Sequence, residues 1–152
     1  MALDRTQKWA AAFTDRGNVL TTEMNSLADG AWSASGPAYT NTTNLDQLGK
    51  VELNVTFGTA PAATGFVVIY MIEAPDGTNY DTIDTDNDPR ADKQITQMNV
   101  IDTTNAQRRI SPGLFIIPPG AVKFSLQDKA GQAFPASGST LKLYTANAGL
   151  HS

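Results

Sequence analysis

A chain of 152 residues with a formal net charge of −4 and no cysteine has the length of one domain, enough to bury roughly 68–70% of the surface its unfolded form exposes. The missing thiols exclude disulfides, thiolate zinc sites and cysteine nucleophiles. The acidic balance, with Arg108-Arg109 the one adjacent basic pair, argues against a nucleic-acid partner, and no apolar run approaches the ~20 residues of a membrane helix.

The first sixteen residues, MALDRTQKWAAAFTDR, scatter Asp4, Arg5 and Lys8 around a short apolar patch. They contain no h-region of a signal peptide, which predicts synthesis in the cytoplasm. Their apolar content is too small for a core element. Residues 1–16 are therefore expected to form a short helical or extended arm that orders against another surface through Trp9 and Phe13, removable at little cost in stability, with 17–152 as the single domain. Leu20, Met24 and Leu27 then stand at i, i+4 and i+7 before Asp29-Gly30, a short helical signal.

From about residue 46 the apolar period becomes two. Val51, Leu53, Val55 and Phe57 alternate with Lys50, Glu52, Asn54 and Thr56, predicting a strand with one buried face and one polar face, and Glu52 as an exposed charge. Phe66–Ile72, FVVIYMI, is apolar at every position, so either both its faces are covered within the domain or one awaits a partner subunit. Val67, Ile69 and Met71 are the candidates for that second role. Ala74-Pro75-Asp76-Gly77-Thr78 predicts a turn that returns the chain as a hairpin into TNYDTI.

The next stretch, DTIDTDNDPRAD, raises the question of a metal. Asp84, Asp86 and Asp88 match the first three ligand positions of a calcium-binding loop, but Pro89 and Ile95 stand where such a loop needs its turning Gly and its bidentate Glu. The expectation is a solvated acidic turn, with these three aspartates the only calcium candidates and no cofactor. Further strands are predicted at 94–101, 113–117, 121–127 and 139–145, separated by Pro118-Pro119-Gly120, Asp128–Gly131 and Pro135–Gly138. Short strands bounded by Gly, Pro or Asp, without crossover helices, specify an all-β antiparallel sandwich or jelly roll.

Catalytic residues are scarce. The lone histidine, His151, is one residue from the C-terminus, a poor place for a base that must be held rigidly. Glu52 and Glu73, or one of them with an aspartate of the acidic loop, could form the carboxylate pair of a glycosidase only if they faced each other across a groove. The chain reads as non-enzymatic. Trp32, Tyr39, Tyr70, Tyr80 and Tyr144 could stack on a sugar, Tyr144 being the one least easily assigned to a core because it stands on the polar side of its strand.

The order of NSLADGAWSASGPAYTNTTNLDQLGKVELNVTF, GFVVIYMIEAPDGTNYD and RRISPGLFIIPPGAVKFSLQDKAGQAFPASGSTLKLYT resembles the small jelly-roll decoration, or cement, proteins of tailed-phage capsids, over roughly residues 25 to 146. The resemblance implies a non-enzymatic structural protein of the virion. It would be a homotrimer on the outer capsid surface, made in the host bacterial cytoplasm, that binds the major capsid protein and stabilises the head. The competing expectation is a carbohydrate-binding jelly roll of a phage virion or tail that attaches to a host glycan.

Overall fold

The computed structural model describes residues 6–9, 12–83, 89 and 91–151, for 6–9 and 148–151 through the backbone alone. Trp9 is thus known by its backbone only, and Asp84, Asp86 and Asp88 lie outside the described residues. The strands are β1 (Thr6–Trp9), β2 (Thr14–Leu20), β3 (Tyr39–Thr40), β4 (Leu48–Thr56), β5 (Phe66–Ala74), β6 (Gln94–Asn99), β7 (Ala106–Ile110), β8 (Phe115–Ile116), β9 (Ala121–Lys129), β10 (Thr140–Ala146) and β11 (Ala148–His151). All strand pairings are antiparallel.

One sheet runs β2-β10-β4-β7, with β8 also on β4, and the other runs β3-β9-β5-β6. Leaving out β8 and the terminal strands, eight strands remain, and their pairing is nested. The first pairs with the last, the second with the seventh, the third with the sixth and the fourth with the fifth. This is one long hairpin rolled on itself, and the contacts β10–β4 and β9–β5 seal the roll into two sheets. The result is an all-β sandwich with jelly-roll order. The β1–β11 ribbon, Thr6 against His151 and Trp9 against Ala148, is the next pair out on the same hairpin, and among the described residues no third strand bonds to it.

The core lies between the two sheets. Val51, Leu53 and Val55 of β4 and Leu141 and Leu143 of β10 meet Val67, Ile69 and Met71 of β5 and Val122, Phe124 and Leu126 of β9. Each such side chain contributes roughly 1.5–3 kcal/mol by leaving water. Phe57 closes one end edge-to-face on Phe134, with ring centroids 5.3 Å apart. Where β4 meets β8, Gly49 leaves room for the Phe115 ring, which a Cβ there would approach to 2.4 Å.

Three expectations change. Leu20, Met24 and Leu27 do reach the core, but through a 3-10 turn at Thr22–Met24 rather than an α-helix, because Asn25 is extended and Ser26 has φ 53°. The turn after β5 forms, with Gly77 N–H donating to Ala74 O and the Asp76 carboxylate accepting from the N–H groups of Thr78 and Asn79. No strand follows in 78–83. The chain does turn back along the end of β5, where Asp81 N–H donates to Glu73 O at 3.0 Å beyond the β6 ladder that stops at Tyr70, but no strand ladder forms there. Finally, the boundary at residue 16 falls inside β2, whose Asp15 is in register with Tyr144.

Candidate functional site

β5 resolves the choice that its unbroken apolar run left open. Val67, Ile69 and Met71 are at most 5% exposed and lie in the domain's own core, so they are corrected from interface to core residues. The alternate residues Val68, Tyr70 and Ile72 are buried as well. Lys123, in register with Ile72, places its Nζ 4.3 Å from the centre of the Tyr80 ring. The stretch after β5 therefore folds over the outer face of its own sheet. Tyr70 donates its hydroxyl to Gln127 Oε1, so of the proposed sugar-stacking residues Tyr70 is committed to internal packing.

The outer face of the larger sheet is more open. Strand alternation brings together Lys50, Glu52 and Asn54 of β4, Lys142 and Tyr144 of β10, and Arg108 and Ile110 of β7. Glu52 is not the exposed charge that alternation predicted. It is 6% exposed, with Oε2 accepting from Arg108 Nη2 at 2.7 Å and Oε1 from Asn54 Nδ2 at 2.9 Å. The Arg108 guanidinium holds its carboxyl below the usual range in spite of burial. Glu73 belongs to the other sheet, so the two glutamates do not form a carboxylate pair across a groove. Lys142 Nζ donates to Asp15 Oδ2 at 3.0 Å. A groove of about 300 Å³ beside Asn54, Arg108 and Gly138 contains no aromatic side chain. Among the described residues no group of three His, Asp or Glu could hold a metal.

Aliphatic groups border this polar face. Ile110, Leu114 and Ile116 are 49%, 43% and 74% exposed. Ile110 is in register with Glu52 and Ile116 with Leu48, which puts both on the outward side of the sheet, along the edge made by β7 and β8. Two more exposed apolar residues, Phe13 and Leu45, stand at the end of the sheet where β10 runs into β11. Phe13 precedes Thr14, which pairs with Thr145, and Leu45 lies just before Leu48, which pairs with Ala146. Sequence reading found Phe13 but missed Ile110, Leu114 and Ile116, because in an isolated GLFII run an exposed Leu114 or Ile116 looks like a core residue, and AQRRI has no alternation that would place Ile110.

At that same end a buried polar node ties the sheets together. Asp46 accepts from Arg16 Nη2 at 2.9 Å and from the Tyr39 hydroxyl. Arg16 Nε also donates to Thr145 Oγ1, and Asn41 clamps the Asp46 backbone at both N–H and C=O. Burial pushes the Asp46 carboxyl up, but the hydrogen bonds from Arg16, Tyr39 and Thr145 outweigh it and hold the group below its ordinary value. The node fixes the root of the terminal ribbon.

No family model, curated protein or solved structure matches the chain.

Proposed function

We propose that this protein is a capsid decoration protein of a tailed phage, a non-enzymatic homotrimer that binds the major capsid protein on the outside of the head and stiffens the shell. The observation that carries the reading is the end of the sandwich at which β1 and β11 pair, among the described residues, with no third strand, beside the exposed side chains of Phe13, Leu45 and Ile116. A two-stranded ribbon is marginal in water by itself and gains most when laid on another surface. Apolar residues grouped around its root supply contact area for that surface. The resemblance in strand order and turn placement to cement proteins supports the same assignment, and the jelly-roll pairing is the architecture that resemblance implies.

The mechanism is mass action. A protein that binds only the assembled lattice stabilises the lattice, and a trimer that engages several subunits together adds avidity that one contact lacks. Empty shells are to be heated with and without saturating protein. Decorated shells are expected to rupture at a higher temperature and to carry the protein in multiples of three. Equal rupture temperatures, together with saturable binding of a glycan by the free protein, would replace this assignment with host-surface attachment.

A further inference from the structure

The end of β9 holds a carboxyl group in an unusual place. Asp128 is in register with Val67, a core residue, and is itself 0% exposed. Its Oδ1 accepts from Ala130 N–H at 2.8 Å, while Oδ2, also buried, has no hydrogen-bond partner among the described residues. An unpartnered carboxylate oxygen in such a site is costly when charged and far less so when protonated. The backbone of Asp128 is the anchor of a separate segment. Residues 26–36 run along β9 as an irregular strap, and Gly30 N–H donates to Asp128 O at 2.8 Å while Asp128 N–H donates to Ala31 O at 3.0 Å. Further along, Ser33 and Gly36 bond to Leu126 and Phe124, and Ser26 bonds to Pro135 O.

The strap brings its own carboxylate to the same turn. Asp29 accepts from Gly131 N–H at 2.9 Å, so the acidic groups of strap and strand flank one four-residue turn, Asp128–Gly131. Among the described residues no cation balances them. Lys129 is exposed and points to the other side of β9, with Nζ 5.8 Å from the Phe66 ring. The 58–65 loop, which bonds Ala130 O through Ala62 N–H, contains no ionisable residue, and neither does the Phe134-Pro135 pair that bonds the strap. Across the ladder stands Val67. Among the described residues Asp29 is thus the one charged group facing Asp128.

We propose that Asp128 and Asp29 form a proton-dependent clasp, fastening the 26–36 strap to β9 while Asp128 is protonated and loosening it when both carboxylates are charged. Burial, with Asp29 adding to it, pushes the Asp128 carboxyl up to about 7. The sign follows from linkage. The closed clasp binds a proton more tightly than the open one, so the fastening is strongest below the ordinary carboxylate range. It weakens as pH rises toward about 7 and is constant above that. Opening of the strap would bare the β9 edge, whose carbonyls at Phe124, Leu126 and Asp128 the strap now occupies.

The test is amide hydrogen exchange of Gly30, Ser33, Gly36 and Asp128 on the full chain between pH 4.5 and 8.5, corrected for the intrinsic pH dependence of exchange. Wild-type protein is expected to show the opening constant of these amides rising by up to about tenfold per pH unit until a plateau near neutrality. Asp128→Asn should abolish the slope, and Asp29→Asn should retain it with a lower midpoint. A flat profile in the wild type, or an unchanged slope in Asp128→Asn, overturns the proposal. Should Asp128→Asn fail to fold, the wild-type profile and the carbon-13 titration of the Asp128 carboxyl decide by themselves. A normal carboxylate midpoint there overturns it. Micromolar calcium that protects the same amides at pH 8 would also overturn it, assigning the two carboxylates to a cation.

Discussion

Arg16 and Asp46 form an ion pair at 2.9 Å across the end of the sandwich, with Asp46 only 4% exposed in its side chain and Arg16 24%. The pair joins β2 to the loop before β4, and Tyr39 and Thr145 extend it to β3 and β10. Removing the guanidinium would leave a buried carboxylate with the Tyr39 hydroxyl as its main donor. Arg16→Ala is therefore expected to cost about 2 kcal/mol in urea denaturation at pH 7, the range for hydrogen bonds to charged groups. Asp46 sits below its ordinary value, so its contribution is present above the unfolded carboxylate range and is lost as pH falls through the folded value. The cost of Arg16→Ala should shrink in acid, and an equal cost at pH 3 and pH 7 would count against the pair.

The same residue redraws the boundary of the arm. Deletion of residues 1–13 is expected to leave the melting temperature nearly unchanged, since β1 bonds only to β11 among the described strands. Deletion of 1–16 removes the start of β2 as well as Arg16, and it should lower the melting temperature by several degrees. Thermal melts of the two truncations, compared directly, check this. Similar melts for both would restore the boundary at 16 that composition suggested.

The strands legible in the sequence were those whose apolar and polar residues alternate. β4, β9 and β10 alternate because Val51, Leu53, Val122, Phe124, Leu141 and Leu143 point inward while Lys50, Lys123 and Lys142 point out. β7, reading AQRRI, shows no such pattern. It is a strand because β4 offers it a ladder from Glu52 to Thr56, a long-range fact that local composition does not carry. The unbroken apolar run of β5 announced two covered faces but not what covered them. The Asp46 node was illegible for the same reason, since Arg16, Tyr39 and Thr145 are brought to it by the roll of the hairpin and by no local spacing.

Glu52 and Arg108 provide a second test of internal pairing. Glu52 has both oxygens engaged on a buried site, whereas Arg108 keeps 67% of its side chain exposed. Arg108→Ala should therefore destabilise at pH 7 through the stranded carboxylate rather than through lost packing. Glu52→Gln placed on top of it removes the stranded charge, and the double variant is expected to recover most of the loss. A double variant as unstable as Arg108→Ala alone would show that the guanidinium acts through its own contacts. Chemical denaturation of the single and double variants at pH 7 reads this directly.

The location of the assembly surface is the last expectation, and it rests on which isoleucines are wet. Ile110 and Ile116 are 49% and 74% exposed on the outward side of the larger sheet, so a charged residue at either place meets solvent in the free protein. Ile110→Lys and Ile116→Lys are expected to change folding stability by no more than about 0.5 kcal/mol, as surface substitutions do. In an oligomer or on a shell the same ammonium would be buried without a partner, and that penalty is several kcal/mol. The pair of substitutions should therefore leave the melting temperature of the free chain intact while abolishing trimers in light scattering and co-sedimentation with shells. Met71→Lys, by contrast, puts a charge into the core beside Val67 and Ile69 and should unfold the domain outright. If both isoleucine variants assemble and co-sediment like the wild type, the β7–β8 edge is not the contact, and the search moves to Phe13 and Leu45 at the root of the ribbon.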